Sequence, residues 1–158
     1  MNTEALVIKL EADFPFVDKP VDRSICFHTD ECYQCSYLID DLLIYKGREI
    51  PPQAIRCVHQ EMSCLSAKGW RWVLPSYLRY CLTDEARYNE METEFLIYNL
   101  APSDEYKADT LQRLSGLNKS QINCLIEFLN WCKQQESWKD YCLEEIEQGI
   151  IFLSSIKL

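Results

Sequence analysis

Within ten residues, Cys26, His28, Cys32 and Cys35 form the densest set of side chains able to ligate a metal. Thiolate and imidazole are the ligands favoured by a closed, tetrahedral structural zinc site, and the Cys32-x-x-Cys35 spacing is the usual first half of one. The second half is commonly another pair a dozen or more residues away. Here Cys26 and His28 alternate instead, so they must fold back over a helix start to complete a four-donor set. The competing account is purely structural: Cys35 packs, Cys26 and Cys32 are incidental, and His28 orders the loop. A second chemistry for the same stretch is thiol redox, with Cys32 and Cys35 at a helix N-terminus whose dipole would favour a thiolate. Asp30 and Glu31 beside that thiol oppose it, and the strand that precedes such a pair in thioredoxin-like units is not evident.

Other catalytic constellations find little support. His59 is followed by Gln60 and Glu61 and lacks the second histidine of a His-Glu-x-x-His metalloprotease site. The four glycines (Gly47, Gly69, Gly116, Gly149) build no nucleophile elbow, phosphate loop or dinucleotide fingerprint. Acid pairs such as Glu92 and Glu94 carry almost no information about catalysis in so acidic a chain. The remaining cysteines that fall among apolar residues (Cys57, Cys64, Cys81, Cys124, Cys132, Cys142) read as small hydrophobes. The count of nine is odd, and no disulfide framework is expected.

Charge gives the other lead. Sixteen Lys and Arg against 25 Asp and Glu leave a net charge of −9, which opposes attraction to nucleic acid or an anionic bilayer. Asp84, Glu85, Glu90, Glu92, Glu94, Asp104, Glu105 and Asp109, offset by Arg87 and Lys107 alone, place −6 of that −9 in one window. Such a segment suits a basic protein partner, and the leading functional expectation is a non-enzymatic acidic binding protein, such as an immunity or antitoxin-like protein that neutralises a cationic one. Acidity for solubility alone is the plainer explanation. The alternative function is a small zinc-binding or thiol-based redox-sensing protein built on the Cys26–Cys35 cluster. The start Met1-Asn2-Thr3-Glu4 has no basic region and Lys9 interrupts the apolar residues after it, so no secretory signal and a cytoplasmic location are expected. No apolar run approaches the ~20 residues that cross a bilayer.

The elements that must position these residues read as helices. With 47% apolar and 26% charged residues the composition is that of a globular domain, and 158 residues suit one core. Few glycines and prolines leave little turn material for many strands. The expectation is an all-α, single compact multi-helix domain over 1–158 with six to eight helices; the alternative is α+β, with a small two-stranded sheet near Phe95 and Ile50. Leu6, Val7, Leu10 and Phe14 predict a first helix over 3–14, stopped by Pro15, and a long connection follows. Asp30 predicts an N-cap for a helix to about Tyr45 with Cys35, Leu38, Ile39 and Leu42 inward. Pro51 and Pro52 open a helix carrying Ile55, Val58, Met62 and Leu65. Ser66 caps a turn bearing Trp70 and Trp72, after which Pro75 should kink or restart a helix with Tyr77, Leu78 and Cys81. Those aromatics read as core rather than as a stacking platform. Asn118 and Gln121 form a capping-box variant ahead of Ile122, Leu125, Leu129 and Cys132. Ser137 or Asp140 starts a last helix with Cys142, Ile146, Ile150 and Leu153 inward.

His28-Thr29-Asp30-Glu31-Cys32-Tyr33-Gln34-Cys35, then Gly47 and Ile50, then Leu65-Ser66-Ala67 leading to Leu74-Pro75-Ser76-Tyr77-Leu78, and Leu117 to Gln121 leading into Phe128 and Leu129, give an order of features that resembles a family of small uncharacterised bacterial proteins classed as a domain of unknown function. The resemblance covers most of the chain. It implies an α-helical bacterial protein and draws the eye to the segment from His28 to Cys35.

Overall fold

The structure is a computed structural model and describes residues 1–28 and 31–158. Nine α-helices carry the described residues: α1 Thr3–Asp13, α2 Tyr33–Leu42, α3 Pro52–Val58, α4 Ala67–Cys81, α5 Asp84–Asn89, α6 Met91–Leu100, α7 Lys107–Leu114, α8 Lys119–Gln134 and α9 Glu136–Ser154. Short 3-10 turns at 22–25, 59–64 and 104–106 join them. The all-α expectation holds. The alternative sheet does not form: Phe95 lies in α6, and among the described residues the one bridge outside helices pairs Cys26 with Leu65, antiparallel. No helix is long and apolar enough to cross a membrane among the described residues.

The centre of the core is α4, whose Trp70, Trp72, Val73, Leu74, Tyr77 and Leu78 are all fully buried. Ser66 caps it, its side chain accepting from the Gly69 N–H at 3.1 Å. The expected interruption at Pro75 does not occur, and the helix runs on to Cys81. A proline there removes one backbone hydrogen bond at a cost of about 3 kcal/mol in an isolated helix, but Pro75 is itself buried among core side chains on a helix held from every side. The indole N–H groups find acceptors, Trp70 donating to the Met62 carbonyl and Trp72 to that of Gly47, each at 3.0 Å. The aromatics are core, as their spacing implies.

Against α4 lie α1, α3 and α7, and α8, α9 and α6 form the other flank. The N-terminal helix joins the late part of the chain: Trp131 Nε1 donates to Thr3 Oγ1 at 3.1 Å, Ser120 Oγ donates to Asp13 Oδ1 at 2.5 Å, and Lys9 lies 4.0 Å from Glu127. Asn118 caps α8 with the full capping box, since Gln121 N–H reaches Asn118 Oδ1 and the Gln121 side chain returns to the Asn118 N–H. The helix expected to continue from Ile55 to Leu65 breaks after Val58 into a 3-10 turn, with Glu61 at φ −116°, ψ 20°. The last helix begins at Glu136, ahead of both expected starts, and Cys142 departs from helical dihedrals within it.

One member of the acidic set is not on the surface. Glu92 is 4% exposed, its carbonyl accepting from Tyr77 Oη at 2.6 Å and its carboxylate from Tyr80 Oη at 3.3 Å, with Arg56 Nε 3.8 Å away. Its place on the buried face of α6, beside Thr93, Leu96 and Ile97, withdraws it from any partner. Charge counting along the chain does not sense that face.

Candidate metal centre

Three segments converge to build the cysteine cluster. The 3-10 turn Asp22–Ile25 delivers Cys26, which pairs with Leu65; Phe27 N–H donates to the Cys64 carbonyl at 2.7 Å and Ser66 N–H to that of Ile25 at 2.8 Å. The segment leading to His28 is thus zipped to the end of the 3-10 turn that carries Cys64 and to the extended Leu65 after it. The third segment is the start of α2. The Asp30 N-cap lies outside the described residues; the helix instead begins after Cys32, which occupies the N-cap position, with Glu31 before it in the left-handed region at φ 72°. Cys35 is then on the inward face with Leu38 and Leu42.

His28, Cys35 and Cys64 have donor atoms that all lie within 4.8 Å of one another. His28 Nδ1 is 3.4 Å from Cys35 Sγ and 3.7 Å from Cys32 Sγ. Zinc bonds of about 2.3 Å to sulfur and 2.0–2.1 Å to nitrogen at tetrahedral angles place an N···S edge at about 3.6 Å, so both separations match a coordination edge as closely as a hydrogen bond. Cys26 sits to one side: its thiol donates to the Cys35 carbonyl at 3.6 Å while also neighbouring the Cys35 thiol. Cys35 and Cys64 are buried, Cys32 is partly exposed and His28 is exposed. Of the four positions read from the sequence, His28 and Cys35 therefore fall into one donor group with Cys64, Cys32 adjoins that group through His28, and Cys26 lies beside it.

Cys64 escaped the sequence reading because it sits among apolar residues, where a thiol reads as packing. The available signal was the missing second half of the site, which it supplies 29 residues after Cys35. Arg113 of α7 was missed as well. Its Nε donates to the Ser63 carbonyl at 3.1 Å and its guanidinium lies 4.1 Å from the Phe27 ring centroid, so one buried side chain clamps both segments. Burial holds its pKa below the usual arginine value.

The electrostatics distinguish the sulfurs. Burial, then the adjacent Cys35 thiol, pushes Cys64 up to about 12, and the same causes in the same order push Cys26 up to about 12. Packed together without a cation, these groups hold their protons; a divalent ion reverses that preference and turns coordinating thiols into thiolates. Cys32 goes the other way. The Cys35 backbone N–H, followed by the Cys35 thiol, holds it below the ordinary thiol value, with the Gln34 N–H assisting. The sequence sets Asp30 and Glu31 against this thiolate; Asp30 lies outside the described residues, and the Cys35 and Gln34 N–H groups act in the opposite direction.

The other acids of the set take separate positions, with Glu90, Glu94 and Asp109 half-buried and the rest exposed. Asp84 and Glu85 open α5, with Glu85 paired to Arg56; Asp104 pairs with Lys107 at 2.7 Å beside exposed Glu105; Asp109 lies in α7 near Arg113. Glu90 is at the N-cap of α6 and Glu94 in its first turn, and after burial itself these two and Glu145 push the Cys142 thiol of α9 up to about 11. An open groove of about 550 Å³ near the last turn of α9, lined by Ser103, Lys107, Ile151 and Phe152 among others, contains neither histidine nor cysteine.

No curated protein and no solved structure gives a significant match to the chain. Residues 45–148 match a family described as a family of unknown function (DUF6714), a stretch that contains Cys64 and begins after Cys35. The match spans most of the chain, which therefore belongs to the family of unknown function DUF6714.

Proposed function

We propose that the chain is a zinc-binding protein whose metal is held by His28, Cys32, Cys35 and Cys64 and ties the N-terminal arm and α2 to the helical core. The observation that carries this is the convergence of His28, Cys35 and Cys64 donors within 4.8 Å, with Cys32 at a coordination-edge distance from the same histidine nitrogen. Four protein donors fill a tetrahedral site and leave no position for water or substrate, so the metal is structural rather than catalytic. Zinc suits the soft thiolates and the imidazole better than magnesium or calcium, which take oxygen ligands. Its binding displaces thiol protons, so affinity falls as the pH is lowered. Cys26 lies beside the Cys35 thiol and, among the described residues, makes no hydrogen-bonding contact with His28, so it stays outside the set.

Native mass spectrometry of protein expressed in ordinary medium and purified without chelator is expected to show one zinc per chain. Cys26→Ser should keep it and His28→Ala should lower its retention at least tenfold against a competing chelator. A metal-free, fully folded protein, or a Cys26 variant that loses zinc while the His28 variant keeps it, would sink this ligand assignment.

A second reading, binding of a basic protein partner, is supported by one surface. Glu90, Glu94 and Glu145 converge across α6 and α9, and among the described residues no Lys or Arg nitrogen lies within 4.0 Å of their carboxylates. Exposed Tyr98 and Tyr141 lie on the same two helices. Unneutralised acids of this kind steer a cationic partner and speed encounter. For a partner identified by cross-linking in the native host, Glu94→Lys with Glu145→Lys should slow association about tenfold and flatten its salt dependence. Unchanged rates, or cross-links that fall elsewhere, would remove this surface from consideration.

A further inference from the structure

We infer that Cys32 and Cys35 form an oxidation site that takes a hydroperoxide as substrate and, on closing to a disulfide, expels the metal; this rests on the zinc assignment above. Among the four clustered sulfurs, those of Cys26, Cys35 and Cys64 are buried and that of Cys32 is the accessible one. An oxidant arriving from solvent meets Cys32 first. It occupies the N-cap of α2, and Cys35 is three residues on in the first turn of the same helix. Residues so placed fall within the Cα separation of about 4.4–6.8 Å that a disulfide spans, so the pair can close without moving the segments that carry His28 and Cys64.

The steps balance. The Cys32 sulfur attacks the terminal oxygen of the hydroperoxide, the O–O bond breaks, and the departing alkoxide takes a proton to leave as an alcohol, or as water when hydrogen peroxide is the oxidant. Cys32 is then a sulfenic acid. The Cys35 thiolate attacks the Cys32 sulfur, the S–O bond breaks, and the hydroxide leaves as water with a proton from solvent. The two metal-bound thiolates have lost two electrons to one hydroperoxide, whose two oxygens leave as an alcohol and water with two protons taken from solvent. The metal keeps His28 and Cys64 as its remaining donors, too few to retain it against solvent.

The test uses the full-length, zinc-loaded protein and hydrogen peroxide, with released zinc read by a chromogenic chelator and the product by intact mass and peptide mapping. One zinc released per chain, together with a loss of two hydrogens mapped to a Cys32–Cys35 disulfide and reversal by a dithiol, is the expected result. Cys57→Ser, which alters a half-buried thiol elsewhere, should release zinc at the unmodified rate. In Cys32→Ser, Cys35 should remain reduced at least tenfold longer, a readout that holds even where that variant has lost its metal. Zinc retained under excess peroxide, or release accompanied by a disulfide between other cysteines, overturns the inference. If the purified protein proves metal-free, the zinc assignment fails by itself and the peptide map still decides the pair: a Cys32–Cys35 disulfide keeps the oxidation site, and its absence removes it.

Discussion

Cys64→Ser is expected to empty the metal centre, lowering zinc from one per chain to less than a tenth and the melting temperature by roughly 10 °C. In the proposed site Cys64 is the donor that would fix the N-terminal ligands to the body of the domain. Its carbonyl takes the Phe27 N–H at 2.7 Å and the Cys35 thiol at 3.8 Å, so the segment already touches both others through its backbone. Removing the sulfur leaves these contacts in place and deletes one metal bond, and three donors with an exposed histidine among them hold zinc weakly. The thermal effect follows from linkage. A ligand present at a thousand times its dissociation constant stabilises the folded state by about 4 kcal/mol, and a chain of this size shifts by about 2–4 °C per kcal/mol. Calorimetry of the parent and the variant, each with zinc and with chelator, checks both parts. With chelator the two should melt within about 2 °C, because a serine in place of a buried thiol costs little beside the metal. A variant that melts far below the metal-free parent would instead assign Cys64 to packing.

Gly69→Ala should be nearly as damaging without touching a donor atom. A methyl group on Gly69 would lie 2.5 Å from the Ile25 carbonyl oxygen and 3.2 Å from the Leu65 side chain. No side-chain movement relieves the first contact, since the obstacle is backbone, and that carbonyl already accepts the Ser66 N–H. The extended segment at Ile25–Cys26 must back away from α4, opening the bridge between Cys26 and Leu65. Overpacking of this kind costs about 1–3 kcal/mol, and the displaced segment also misplaces His28, so zinc retention should fall together with stability. Gly116→Ala is the control: its methyl would rest 3.5 Å from the Ala67 carbonyl, an ordinary contact, and should change stability by no more than about 1 kcal/mol, in the stabilising direction. Denaturant titration and zinc content, measured on both variants, separate the two sites. Equal behaviour of the two would mean that the approach of α4 to Ile25 has no bearing on the metal.

Where a local signal dominates, the sequence was readable. Asn118 with Gln121, Ser66 ahead of Gly69, and the prolines at 51 and 52 all mark helix starts through hydrogen bonds or dihedrals confined to a few residues, and each start is found there. That His28 and Cys35, two of the three residues whose donor atoms group together, lie near each other was legible for the same reason. What could not be read depends on the tertiary surroundings. Pro75 is tolerated because α4 is buried around it, and Glu92 turns inward because Tyr77 and Tyr80 await it there. Cys64 is brought to the other donors by a backbone bridge that neither segment announces. The Cys32 thiol was judged by its sequence neighbours, although its environment is set by N–H groups that lie beneath it only once the helix has formed.

The first helix rests on α8, with Thr3 bonded to Trp131 and Asp13 to Ser120. On the ribosome this separates the birth of α1 from its docking by more than a hundred residues of synthesis, on the order of ten seconds at about 5–20 residues per second. Throughout that interval the helix carrying Leu6, Leu10 and Phe14, all buried in the finished molecule, has at most its contacts with α4 and lacks those with α8. The nascent chain thus carries a half-covered helix from the time α1 emerges, and the window in which a chaperone is useful closes only when α8 clears the exit tunnel.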